Sequence, residues 1–169
     1  MAPPTIGTSP FPTSFETELT EEENRIQAAS NVIYERLKLM PASAARLQFS
    51  PALLSAIGSS EVQIYYASSS YSPPEFETFN APPKQQRTMQ FRINVMLRDL
   101  RSHESCYRLL ALVEKLLKGV QPLGEQFVRT NGSIYFVDES FVELEKDGIW
   151  LYTVLLAFDI LQNVEMGVF

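Results

Sequence analysis

Residues 89–120, MQFRINVMLRDLRSHESCYRLLALVEKLLKGV, change their hydrophobic period from two to about 3.6 within a few positions. Met89, Phe91, Ile93, Val95 and Leu97 alternate with Gln90, Arg92, Asn94 and Arg98, which predicts a strand with one buried face. Leu109, Leu112, Val113 and Leu116, flanked by Cys106, Leu110 and Leu117, then follow at helical spacing up to Gly119 and Pro122. The helix leaves Arg108, Lys115 and Lys118 on a narrow polar stripe, so it should be covered on more than one side. A chain built around this unit must fold as a strand and helix packed together.

The rest of the sequence supplies the layers. Thr20 and Glu23 have capping-box spacing, and Ile26, Ala29, Val32, Ile33 and Leu37 predict a first helix over about residues 21–39, stopped by Pro41. Ser50, Pro51 and Gly58 bracket a short helical corner. EVQIYYAS, residues 61–68, alternates as a strand. Residues 69–86 contain Pro73, Pro74, Pro82 and Pro83 and are expected to be a long loop that docks on something through Tyr71, Phe76 and Phe79. Turn signals at Asn131–Gly132 and Asp147–Gly148 divide the last third into strands near 126–130, 133–137, 140–146 and 149–161. The final strand, IWLYTVLLAFDIL, is apolar on both faces until Asp159 and belongs inside a covered sheet. The expectation is an α+β fold: one domain over residues 20–161, a mostly antiparallel sheet with two main helices packed on one face. An extended arm, residues 1–19, precedes it and a short tail, 162–169, follows.

Composition excludes several classes of function. The net charge of −6 gives no general attraction for phosphates, and no apolar run approaches a membrane span. The N-terminal MAPPTIGTSPFPTSF lacks the pattern of a secretory signal and reads as an arm of a cytoplasmic product. One cysteine and one histidine rule out an internal disulfide and a His/Cys zinc cluster. His103, Glu104 and Cys106 at a helix N-terminus are the best enzymatic constellation, yet Cys106 fits core packing and His103 a solvated loop better. Asp138 and Glu139 are expected as turn residues between two strands, not as an acid/base pair or cation site. Arg98, Arg101 and Arg108, near Lys115, fit salt bridges to a protein partner or a solvated face better than binding of a polyanion. No catalytic, cofactor or metal residue is assigned.

The order of helix, strand, long loop, strand, Arg-Asp-Leu-Arg and helix ending in Leu-Leu-Lys-Gly, closed by hairpins, resembles the small tail proteins of Mu-like contractile phages, related in fold to tail terminators. Phe91, Val95, Arg98, Leu100 and Arg101, then Tyr107, Leu109, Leu110, Val113, Leu116, Leu117 and Gly119, make the likeness, with GIWLYTVLLAFDI as the final strand. It covers residues 21–161. The resemblance implies a structural virion protein, not an enzyme, forming a homohexameric ring that caps the tail tube and sheath at the head-proximal end and joins the neck. DNA would pass through the lumen without specific binding, and the protein would reside in the virion tail after assembly in the host cytoplasm. A neck or tail-completion protein is the structural alternative, and a thiol enzyme using Cys106 the alternative of another class. The expected interface residues are Tyr71, Phe76, Phe79, Arg98, Arg101 and Arg108.

Overall fold

The computed structural model describes residues 13–41, 46–49, 60–76, 81–98, 104–123, 132–142 and 149–163. They form α1 (Thr13–Leu37), β1 (Arg46–Phe49), β2 (Ser60–Tyr71), β3 (Lys84–Arg98), α2 (Glu104–Leu117), β4 (Tyr135–Val142) and β5 (Ile149–Asn163). The five strands make one sheet in the order β1-β2-β3-β5-β4. β1 runs parallel to β2, and every other neighbouring pair is antiparallel. The fold is α+β, as the hydrophobic periods predict.

Strand alternation decides which face the helices cover. Registered pairs Val95–Tyr152, Ile93–Val154, Phe91–Leu156 and Met89–Phe158 line one face of β3 and β5, and all eight side chains are buried. Val62 and Ile64 of β2 continue that face. Ala29, Ile33 and Leu37 recur every four residues on α1, and Cys106, Leu109, Leu110, Val113 and Leu117 form the buried side of α2; all join the strands in one core cluster. Phe91 sits at the centre of this layer, stacked on Phe158 at 5.9 Å and met edge-on by Tyr66 at 5.6 Å between ring centroids. α2 ends where Gly119 takes φ +76°, the left-handed turn its sequence predicts.

Four expectations are corrected. α1 begins at Thr13, not near residue 21, because no proline or glycine follows Pro12 to interrupt it; the capping-box residues Thr20 and Glu23 lie inside the helix. The supposed loop at 69–86 is largely a hairpin. Tyr71 pairs with Arg87, Ser72 N–H donates to the Gln86 carbonyl at 2.9 Å, and Glu75 and Lys84 exchange backbone bonds at 2.6 and 2.9 Å. The prolines interrupt only its tip. Asp138 and Glu139 are not turn residues: they lie inside β4, one continuous strand where two were expected, with a bulge between Phe136 and Asp138 that absorbs an extra residue. β1 was missed, since the alternation of Arg46, Leu47, Gln48 and Phe49 lasts only four residues, too short to stand out as a periodic signal. The helical corner at Pro51, the strand near 126–130 and the turn at Asp147–Gly148 lie outside the described residues.

β5 is interior, as its apolar run predicts: it lies between β3 and β4, paired along its length with β3, and the helices pack against the face of Tyr152, Val154, Leu156 and Phe158.

Candidate assembly surface

The residues singled out for contact separate into two groups. Tyr71, at the end of β2, is 52% exposed and Phe76, just beyond it, 67% exposed, so both project from the hairpin. Arg98 is exposed at the opposite end of β3 and Arg108 is exposed on α2. Eleven positions along β3, from the Tyr71 partner Arg87 to Arg98, span roughly 37 Å at ~3.4 Å per residue, so no single contact patch contains both groups. Phe79 and Arg101 lie outside the described residues.

Arg87 anchors the hairpin. Its side chain is fully buried; Nε donates to Ser69 Oγ at 2.8 Å, the guanidinium reaches Tyr66 Oη at 3.4 Å, and Cζ lies 5.3 Å from the Tyr71 ring centre. Tyr66 in turn donates to Ser69 Oγ at 2.8 Å. An arginine buried this way must keep its hydrogen bonds, since an uncompensated buried charge costs several kcal/mol. The root of the hairpin is thereby held rigid beneath exposed Tyr71.

A second surface, which sequence reasoning missed, is aromatic. Tyr107 of α2 meets Tyr152 of β5 at 6.1 Å, while Phe141 of β4 lies 5.2 Å from Tyr152 and 5.9 Å from Trp150. Tyr152 is buried, whereas Tyr107 and Phe141 remain 55% and 46% exposed. Burial, a hydrogen bond with Tyr107 and negative potential from Tyr107, Cys106 and Glu139 push the Tyr152 hydroxyl up to about 12. The Trp150–Tyr152 alternation was visible in the sequence; its meeting with Phe141 depended on a strand read as two pieces.

The sheet face turned away from the core is mixed: Met96 and Ile149 are buried with Leu151 packed against them, and beside this apolar cluster polar side chains hydrogen-bond across strands. Gln63, Asn94, Thr153 and Ser140 fall in register, and Thr153 Oγ1 donates to Asn94 Oδ1 at 3.1 Å. Ser68 Oγ donates to Gln90 Oε1 at 3.0 Å and Thr88 Oγ1 to Asp159 Oδ1 at 2.5 Å. Burial and the Asp159 charge raise the Tyr135 hydroxyl above its ordinary value, and a hydrogen bond with Thr88 opposes them. Gln63 Nε2 donates to Glu61 Oε1 at 2.9 Å, both residues buried.

The thiol has no exposed route to reaction. Cys106 is fully buried among the core residues, and His103 lies outside the described residues. Among the described residues no three His, Cys, Asp or Glu groups gather as a metal site, and no helix is long and apolar enough to cross a membrane.

These features define a compact α+β domain whose distinctive chemistry is apolar and polar contact surface. Residues 35–166 match the Gp37 protein family, and the chain belongs to it. Its fold is similar to a chain in the solved virion of a native gene transfer agent particle: 11% identical, TM-score 0.53, covering 77% of this chain and 92% of that one. Comparison with curated proteins finds no match.

Proposed function

We propose that this chain is a structural virion protein, a tail terminator whose copies form a homohexameric ring at the head-proximal end of the tail. The observation that supports it best is the fold shared with a virion component across 92% of that component's length, in a member of the Gp37 family. Burial of Cys106 weighs against the thiol enzyme, and the exposed aromatics Tyr71, Phe76, Tyr107 and Phe141 suit a protein that acts by surface matching. A head-to-tail ring is a heterologous interface closed by rotation, and it requires apolar surface beyond the monomer's core. In this role the ring stops growth of tube and sheath, offers a face to the neck and lets DNA through its lumen unbound. The protein would belong to the virion tail, assembled in the host cytoplasm.

Tail length tests the reading. Particles assembled without this protein should carry overlong tubes; tubes of normal length that fail to acquire heads would instead identify a neck or tail-completion protein.

A further inference from the structure

Among the described residues β4 ends the sheet with one neighbour, β5, and seven of its eight residues are exposed. Tyr135, Val137, Phe141 and Val142 are 42%, 48%, 46% and 41% exposed. Edge strands in soluble proteins are usually short, covered or strongly polar, because their free N–H and C=O groups template further pairing. This one is eight residues long, and among the described residues nothing pairs with its outer side. The bulge at Phe136/Asp138 and the acidic pair Asp138 and Glu139 restrict it to a partner of suitable shape and charge.

Resting on the ring reading above, we propose that the free edge of β4 is the seam between copies, pairing antiparallel with β1 of the neighbouring copy. Strand polarity requires this geometry. β1 is parallel to β2, and β2, β3, β5 and β4 alternate in direction, so β4 runs opposite to β1. A neighbour added head to tail, with its helices on the same side, therefore brings β1 to β4 in the antiparallel sense, the slightly more stable pairing. Among the described residues β1 pairs only with β2. The segment forming β4, YFVDESFV, carries two negative charges, whereas RLQF, which forms β1, is net positive. Twofold pairing of β4 with itself would instead set Asp138 and Glu139 of one copy against the same acids of the other, a destabilising arrangement. Charge therefore favours the open, head-to-tail seam that a ring needs.

Native mass spectrometry of the full-length chain, followed by amide hydrogen exchange on its assembled and dissociated forms, tests the seam. Residues 135–142 and 46–49 should both gain protection on assembly, and the exposed double variant Asp138→Lys, Glu139→Lys should weaken assembly roughly tenfold with an unchanged monomer melting curve. A ring of more than two copies in which either segment stays unprotected, or in which the double variant assembles as well as wild type, overturns the seam and leaves the ring standing. A dimer with β4 alone protected overturns it in favour of twofold pairing. A chain that remains monomeric even with tail tubes present removes the ring itself, and the seam with it.

Discussion

Arg87 and Tyr71 are cross-strand partners at the outer reach of the β2–β3 ladder, the guanidinium carbon 5.3 Å from the tyrosine ring centre. One is fully buried and the other 52% exposed, so the pair joins the core to the projecting hairpin.

Replacing Arg87 with Ala should therefore destabilise the fold by roughly 3–5 kcal/mol, because Ser69 and Tyr66 lose a buried donor and a cavity opens. Arg87→Lys should recover only part, since an ammonium cannot fork between two hydroxyls while stacking on Tyr71. Chemical denaturation of the two variants measures this; equal stability of wild type and Arg87→Ala would mean the hairpin root is held by something else.

Gly119 tests the end of α2 in isolation. Its φ is +76°, and a methyl group built there meets nothing within 4 Å, so Gly119→Ala exposes backbone strain without a steric clash. The expected cost is about 1–2 kcal/mol, less for Gly119→Asn, read from thermal melting. A neutral Gly119→Ala would show that the turn does not need the left-handed conformation.

The Tyr152 hydroxyl gives the fold an alkaline limit. Its pKa is raised from 10.0 to about 12, so the folded state holds a proton that the unfolded chain releases first. The associated stability is complete below pH 10 and is lost as pH rises from 10 toward 12. Tyr152→Phe should flatten the fall in melting temperature over that interval; an identical pH profile for variant and wild type would locate the sensitivity elsewhere.

Cys106 should react with a thiol reagent only at the rate of unfolding, because it is fully buried. Cys106→Ala should fold with a loss of about 1 kcal/mol and retain assembly. Loss of biological activity in a variant that still assembles would revive the thiol-enzyme reading.

How far the fold could be read from sequence depended on whether one signal was both local and periodic. β3, α2 and β5 were legible because their apolar positions repeat over many residues, and Gly119 announced the end of α2 by backbone chemistry alone. β4 was misread because Asp138 and Glu139 look like a turn; only pairing with β5 carries two acids through a strand. The hairpin was hidden by Pro73, Pro74, Pro82 and Pro83, which lie near its tip and leave Tyr71–Arg87 free to pair. The aromatic patch joins Tyr107, Phe141, Trp150 and Tyr152 from three elements, so no local window holds it.

Because β5 lies between β3 and β4 in the sheet but follows both in the chain, translation delivers its two neighbours before the strand that unites them. Thr153 and Asn94, which hydrogen-bond across that junction, are 59 residues apart in sequence. Closure of such distant pairs is slow. Until β5 inserts, β3 and β4 each present a vacant ladder that the finished sheet closes. A translation product cut short within β5 should therefore aggregate, and the capacity to join other copies is withheld until the sheet has been completed from the inside.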